Sequence, residues 1–260
     1  MTAKTPIPPS PSGPVTHTHF GYEEIPVAEK TKRVGEVFTA VASNYDLMND
    51  LMSLGVHRYW KRVAIQLAQV SHGQKVLDCA GGSGDLTLAF APMVGDSGLV
   101  VLADINAGML SVGRDRVIDA GLSARVPIIQ ADAESLPFPD NYFQRVTMAF
   151  GLRNVTDKAK AVANLARVLE PGGRCLVLEF SKPVLGWLEK IYDHYSFTVL
   201  PWLGEMIAND RSAYQYLAES IRKHPDQEGL KQLLLENGFD ACQVHNLSGG
   251  IVAIHIGYKY

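Results

Sequence analysis

The sequence predicts an α/β fold: a Rossmann-like sheet of seven mostly parallel strands, with helices on both faces and a helical cap before the sheet. Three observations lead to this expectation. Apolar runs alternate with helical patterns between residues 75 and 180, a glycine-rich turn follows the first run, and Asp104 closes the second. Such alternation builds a parallel sheet covered on both faces, with its binding edge at the carboxyl ends of the strands.

Each element follows from the pattern in turn. The three- and four-residue spacing of Val34, Val37, Phe38 and Val41 predicts a helix in the front segment. The turn Pro171–Gly173 precedes the fifth strand. Strands are expected near 75–79, 99–103, 126–130, 144–149, 174–179, 241–246 and 251–258. Helices are expected near 84–94, 107–120 and 157–169, and residues 183–222 should be mainly helical.

The chain divides into a tail and one domain. Residues 1–18 are rich in Pro, Ser and Thr, so we expect them to be disordered, with His17 and His19 in a solvated tail and not in a metal site. Residues 19–260 form the domain, made of three parts. These are a helical cap at 29–70, a cofactor-binding core at 74–180 and a helical insertion on the substrate side at about 183–222.

Composition narrows the class of protein. The 260 residues carry a net charge of −3, so no basic field attracts nucleic acid. The 3 cysteines are isolated, which favours buried reduced thiols over disulfides. No metal-ligand spacing occurs, and neither a signal peptide nor an uninterrupted membrane-spanning run is visible. We therefore expect a cytoplasmic protein without a metal ion, able to touch a membrane surface.

The glycine-rich turn points to S-adenosylmethionine as the cofactor. A dinucleotide fingerprint needs a third glycine where this chain, after Gly82-Ser83-Gly84, has Thr87. Asp104 can accept hydrogen bonds from both hydroxyls of a ribose, and the helix start after Gly84 favours the cofactor's carboxylate. Asp78 either braces the loop or meets the cofactor's amino group; the pattern does not separate these two interpretations.

Longer motifs add a family resemblance that covers about residues 19–260. The motifs are HFG at 19–21, YDLMNDLMS at 45–53, HR at 57–58, WKR at 60–62, AGGSGDL at 80–86, ADIN at 103–106, LPFPDN at 136–141, FGLRNVTD at 150–157, LEFSKP at 178–183 and YLAESI at 216–221. With these the chain resembles the ubiquinone/menaquinone biosynthesis C-methyltransferases, which are class I S-adenosylmethionine-dependent enzymes. Many methyltransferases share the glycine motif, whereas the motifs around Tyr45 and Arg153 are much more specific.

The resemblance implies a reaction and a set of contacts. The reaction is C-methylation of a polyprenyl hydroquinone, either a 6-methoxy-benzoquinol or demethylmenaquinol. Implied cofactor contacts, besides the loop glycines, are Ser83, Asp104, Asp132, Ala133 and, through its backbone alone, Ala149. Ala149 stands where the family often has a serine, so a side-chain bond is absent there.

The resemblance also implies that Arg153 belongs to the catalytic centre, and the chemistry of the reaction suggests roles for it and for two further residues. A ring carbon becomes a good nucleophile when its neighbouring hydroxyl, with a pKa of about 10, is deprotonated. Arg153 stays protonated, so we expect it to stabilise the phenolate or orient a water, with Asn154 and Tyr45 completing the pocket. The alternative for Arg153 is an ordinary surface ion pair. The base could be Asp46 with Asp50, although a capping or solvated helix face fits these two at least as well. His194 and Asp193 are further candidates, for which exposed helix positions are the better interpretation.

Several interpretations stay open. The aromatic residues of 183–208 could form a wall for the prenyl tail, a core or a dimer interface. Partners could include the membrane interface, other enzymes of quinone biosynthesis, or a second copy of the chain. The competing functions are a methyltransferase acting on another lipid or small aromatic, and a non-catalytic member that binds the cofactor within a biosynthetic assembly.

Overall fold

The computed structural model describes residues 16–41, 50, 53, 55–184, 186, 192, 195–199 and 211–260. The strands are β1 (His17–Phe20), β2 (Glu23–Pro26), β3 (Lys75–Cys79), β4 (Leu99–Asp104), β5 (Ile128–Gln130), β6 (Phe143–Ala149), β7 (Leu169–Phe180), β8 (Ala241–Leu247) and β9 (Val252–Tyr258). The helices are α1 (Val27–Val41), α2 (His57–Ala68), α3 (Asp85–Val94), α4 (Ala107–Asp119), α5 (Lys158–Val168), α6 (Arg211–Lys223) and α7 (Gln227–Glu236).

Seven strands form the central sheet in the order β5-β4-β3-β6-β7-β9-β8. The first five in this order pair in parallel, and β9 pairs antiparallel with both β7 and β8. This arrangement confirms the predicted fold class. The chain order reverses between β3 and β6, which creates a crevice at the carboxyl ends of these strands.

Two apolar layers hold the helices against the sheet. On one face Trp60 and Phe90 pack with Tyr214, and on the other Phe143 packs with Leu165. Each of these side chains is at most 3% exposed. Because both faces are covered, β4 is apolar up to Asp104 at its end, as a buried parallel strand requires.

Side-chain caps fix where three of the helices begin. Asn106, Asp157 and Asp226 each accept a hydrogen bond from a backbone N–H three residues later. Such a cap stabilises a helix by about 1 kcal/mol. The caps of α4 and α5 lie directly beside the crevice. They therefore help to position the wall of the crevice in addition to the two helices.

The N-terminal region departs from the sequence-based prediction. His17 and Thr18 lie in β1, so the tail boundary predicted at residue 18 falls two residues too late. An antiparallel hairpin of β1 and β2 precedes the predicted cap, and α1 already begins at Val27. The hairpin docks on α6, where the rings of Phe20 and Tyr216 stack with centroids 4.1 Å apart.

The turn predicted at Pro171–Gly173 lies inside β7. The ladder between β6 and β7 is interrupted between the pairs Phe143–Leu169 and Arg145–Arg174, and Gly172 has a φ of +82°. The three residues therefore form an outward irregularity of one long strand, with pairing on both sides. The pairing of Phe143 with Leu169 keeps the start of β7 in the sheet.

Nearly half of the insertion predicted at 183–222 lies outside the described residues, including Trp187, Trp202, Asp193 and His194. The described part contains a helical turn at Tyr195–Val199 and helix α6. Within the described ranges, none of the helices combines the length and apolar character needed to cross a bilayer.

Candidate active site

A cavity occupies the crevice at the carboxyl ends of β3, β4 and β6, and we call it the cofactor cavity. Its wall comprises Thr31, Val34, Gly35, Phe38, Cys79, Ala80, Gly82, Asp104, Ile105, Asn106, Met109, Ala131, Asp132, Ala133, Glu134, Ala149, Phe150, Gly151, Asn154, Val155 and Thr156. Gly82, Asp104, Asp132, Ala133 and Ala149, all predicted to contact the cofactor, belong to it. The wall also contains four residues of α1 that no sequence motif marked as cofactor contacts.

The glycine loop passes close to neighbouring side chains. A Cβ on Gly81 would lie 2.5 Å from a methyl carbon of Leu102, and Gly82 and Gly84 have φ angles of +55° and +81°. Only glycine fits such a path without strain. The loop therefore presents bare backbone to the cavity at Gly82, which leaves room for a ligand.

Asp104 is fixed by backbone donors. The N–H of Gly82 donates to its Oδ2 at 2.9 Å, and the N–H of Asn106 donates to its Oδ1 at 2.8 Å. Burial raises the pKa of Asp104, and these backbone bonds oppose the rise. Each carboxylate oxygen keeps further lone pairs for the cavity, so ribose hydroxyls can donate to it.

Asp78 faces into the protein and does not line the cofactor cavity. Its Oδ2 accepts from the N–H and the hydroxyl of Thr87, at 3.0 and 2.7 Å, and its Oδ1 accepts from Thr147. Burial raises the pKa of Asp78 to about 6, against the lowering effect of these bonds. Of the two interpretations left open, the structure supports the brace and not the cofactor contact.

Ser83 and Gly84 are also absent from the cavity wall. Ser83 is buried, and its carbonyl accepts from Nη1 of Arg116 at 3.0 Å. Gly84 caps the start of α3. The structure therefore does not bring Ser83 or Gly84 to the cavity in which they were predicted to contact the cofactor. Both residues instead support the loop.

Helix α1 covers the cofactor cavity. The side-chain nitrogen of Asn106 donates to the carbonyl of Gly35 and to the hydroxyl of Thr39. Since Asn106 also caps α4, one side chain ties the covering helix to the end of β4. In the sequence, a polar residue two places after Asp104, Asn106, is the feature that corresponds to this link.

Arg153 lies in a short 3₁₀ turn, Leu152–Asn154, and its side chain is only 3% exposed. Its Nη1 donates to the carbonyl of Phe150 and, at 2.8 Å, to Oε1 of Glu179. The backbone N–H of Arg153 donates to Oε2 of Glu179. The alternative of a surface ion pair is therefore wrong, because both partners are buried. Glu179 has no local sequence signal that marks it as this partner.

Arg153 lines a second cavity, not the first. We call it the lysine cavity; its wall comprises Thr18, His19, Gly21, Lys30, Arg153, Thr156, Lys158, Tyr216, Ser220 and Lys223. Asn154 lines the cofactor cavity, and its Oδ1 accepts a 3.0 Å bond from the hydroxyl of Tyr216. Thr156 borders both cavities, so the two are neighbours. Tyr45 and Asp46 lie outside the described residues.

The sheet order, the glycine loop and the acid at the end of β4 define a class I S-adenosylmethionine-dependent methyltransferase. The residues present fit this cofactor, because Asp104 and the bare backbone of Gly82 face the same cavity.

Comparison with known families then identifies the particular group. Residues 27–259 match the model of the ubiE/COQ5 methyltransferase family, and the chain belongs to that family. A protein of Pseudomonas paraeruginosa named ubiquinone/menaquinone biosynthesis C-methyltransferase UbiE is 60% identical over 93% of this chain and 94% of its own. A protein of the same name from Legionella pneumophila is 59% identical over 94% of this chain and 97% of its own.

Solved structures share the fold at low identity. A methyltransferase from Aquifex aeolicus matches with a TM-score of 0.54 and 18% identity, over 76% of this chain and 88% of its own. A phosphoethanolamine N-methyltransferase from Haemonchus contortus, solved with S-adenosyl-L-methionine, matches with a TM-score of 0.57 and 17% identity, over 77% and 52%.

Proposed function

We propose that the protein methylates a ring carbon of a polyprenyl hydroquinone in the biosynthesis of ubiquinone, menaquinone or both. The observation that carries the proposal is the pair of adjoining cavities, one built for the methyl donor and the other lined by cations. Close relatives named for this reaction support it, since they match almost the whole chain. S-adenosylmethionine supplies an electrophilic methyl group when it is bound.

The residues of the chain position and activate the ring. We assign Asn154 to the boundary, where it lines the cofactor cavity and is held by Tyr216. Arg153⁺ stabilises the phenolate oxygen from the lysine cavity, because a buried guanidinium interacts strongly with a developing anion. Glu179 orients Arg153 through two bonds and takes no proton in this scheme. Tyr45 remains part of the proposed substrate pocket.

We also propose that a cytoplasmic enzyme meets its lipid substrate at the inner face of the membrane. Tyr22 is 55% exposed and Phe197 is 38% exposed, and their rings stack beside the lysine cavity that Gly21 lines. Exposed aromatic rings next to Lys223 suit an interface between water and lipid. A homodimer or a complex with other quinone-biosynthesis enzymes would use further surfaces.

Anaerobic turnover of a short-chain demethylated quinol with the purified protein tests the reaction. We expect a product heavier by one carbon-bound methyl group, identified by mass spectrometry and NMR. Cells lacking the protein should accumulate the demethylated precursor. Methylation of an amine or a hydroxyl, or binding of the donor without turnover of either quinol, would instead favour the competing methyltransferase or the non-catalytic member.

A further inference from the structure

The lysine cavity has an unusual charge distribution. Lys30, Arg153, Lys158 and Lys223 line it, and no Asp or Glu stands in its wall among the described residues. The nearby acids hold other groups. Glu179 binds Arg153, Glu134 accepts from the N–H of Asp157, and Glu219 accepts from the N–H of Tyr22.

Two lysine amines meet at the border with the cofactor cavity. Nζ of Lys158 donates to the carbonyl of Val155 at 3.1 Å, and Nζ of Lys30 donates to the same oxygen at 3.3 Å. Val155 is itself part of the cofactor cavity's wall. The amine of Lys158 therefore lies one hydrogen bond away from a residue that touches the site of the methyl donor.

The surroundings of Lys158 favour its uncharged form. Burial, followed by repulsion from Lys30, lowers the pKa of Lys158 to about 8, while Glu179, Glu134 and Asp157 oppose the shift. Enzymes use lysines with pKa values of about 7–8 as general bases. An ordinary lysine, with a pKa of about 10.4, would be almost fully protonated in the same pH range.

Several of the other groups around Lys158 are poorer proton acceptors, and His19 and Lys30 also line the lysine cavity. A guanidinium group stays protonated in proteins, so Arg153 cannot accept the proton. Burial raises the pKa of Tyr216 to about 12, so its hydroxyl stays a donor. His224, directly after α6, has its pKa lowered by burial and then by repulsion from Lys158 and Arg153, but it does not line either cavity. Lys223 lies on the exposed side of the cavity.

We propose that Lys158 is the proton acceptor for the ring hydroxyl of the substrate. In this step the O–H bond breaks and its electron pair stays on oxygen, while an N–H bond forms at Nζ of Lys158. The resulting phenolate then faces the ammonium of Lys158 and the guanidinium of Arg153. The inference rests on the proposed function, because it needs a substrate with an ionisable ring hydroxyl.

The pH dependence of kcat/KM separates proton acceptance from simple charge stabilisation. For the wild type we expect kcat/KM to rise with pH around 8, since this parameter reports the free enzyme. Lys158→Arg keeps the positive charge but cannot accept the proton, so kcat/KM at pH 8 should fall by about 100-fold or more. Its rising limb should move toward the ionisation of the free phenol, near pH ~10.

A binding measurement provides a readout without turnover. A redox-inert monophenol analogue of the ring reports its own ionisation through the ultraviolet absorbance of the phenolate. We expect this absorbance to appear at lower pH when the analogue is bound to the wild type than when it is bound to Lys158→Gln. Calorimetric titration with S-adenosylmethionine checks that each variant is folded.

Two matched variants serve as controls. Lys160→Arg changes an exposed lysine on the same helix, and Lys30→Arg changes the companion amine. Both should keep the rising limb near pH 8. The assignment is overturned if Lys158→Arg retains the wild-type profile, or if Lys30→Arg alone loses it. Should neither Lys158 variant bind the donor, the wild type decides: a flat kcat/KM between pH 7 and 9 rejects Lys158.

Failure of the proposed function would look different. If the wild type does not methylate either quinol, the function is wrong whatever Lys158 does. If the wild type turns over the quinol while Lys158→Arg behaves identically, only the role of Lys158 is wrong.

Discussion

At the scale of single residues, the sequence predicted the position of Asp104 but not the partner of Arg153. Asp104 could be assigned from its spacing alone, because the end of a strand next to a glycine turn fixes where a carboxylate points. The partner of Arg153 could not be assigned, since Glu179 comes from a segment 26 residues away. The partner of Asn154 could not be assigned either, since Tyr216 is 62 residues away. Lys158 had no local sequence signal for the same reason: its pKa is lowered by burial and then by repulsion from Lys30, which α1 brings close to it.

Asp104→Asn should weaken donor binding by about tenfold or more, because charge-assisted hydrogen bonds contribute about 1.5–3 kcal/mol each. Calorimetric titration with S-adenosylmethionine measures the change. Asp96→Asn removes an exposed acid before the start of β4 and should leave the dissociation constant unchanged. Equal affinities for wild type and Asp104→Asn would exclude the carboxylate as a sugar ligand.

Arg153→Lys should lose most turnover while donor binding stays intact. Lysine keeps the charge but lacks the planar guanidinium that Phe150 and Glu179 orient through Nη1, so its charge lies in a different position. Steady-state kinetics combined with donor titration separates the two effects. Arg114→Lys, on the exposed face of α4, is the matched control. Near-normal turnover of Arg153→Lys would remove Arg153 from the mechanism.

At the scale of elements, apolar runs predicted strands better than they predicted connections. The bounds of β3 match the expectation at both ends, with Val76 and Leu77 buried at its centre and the glycine-rich turn just after it. The hairpin β1–β2 was missed, since its short strands mix charged and apolar residues and are stabilised by contacts with α6. Tertiary packing, which no local pattern encodes, decided this element.

Asp78 joins three elements and makes their stability depend on pH. Burial raises its pKa from 3.8 to about 6, so between these values the folded state binds more protons than the unfolded state. The free energy of unfolding contributed by Asp78 should therefore fall as pH rises from about 4 to about 6, by about 3 kcal/mol in total.

Denaturant unfolding at several pH values, with wild type and Asp78→Asn side by side, measures this contribution. The asparagine does not titrate, so the variant should show a correspondingly smaller fall. Asp119→Asn, at an exposed position at the end of α4, should follow the wild type. Parallel curves for wild type and Asp78→Asn would contradict the shifted ionisation.

At the scale of the whole molecule, the N-terminal hairpin completes the lysine cavity. Thr18, His19 and Gly21 supply part of its wall, and the N–H of Tyr22 donates to Glu219 on α6. The cofactor cavity contains none of these residues. The hairpin therefore lines the lysine cavity alone, whereas α1 and Thr156 line both cavities.

Removal of residues 1–26 should impair turnover of the quinol while it leaves binding of the methyl donor nearly unchanged. We expect kcat/KM for the quinol to fall by about 100-fold, because loss of a positioning wall disturbs the ring more than it disturbs the donor. The dissociation constant of S-adenosylmethionine should change little. Removal of residues 1–15 alone keeps the hairpin and is the control. Equal loss of donor binding in the longer deletion would show that the hairpin supports the whole fold.

The ion pairs around the first residue of α3 link the front of the molecule to the glycine loop. Asp85 binds Lys61 of α2 and Arg116 of α4, and Arg116 also holds the carbonyl of Ser83. An inhibitor that binds between α2 and α3 would therefore reach the glycine loop from the side opposite the cofactor cavity. It would act alongside analogues of the methyl donor instead of competing with them for the same crevice.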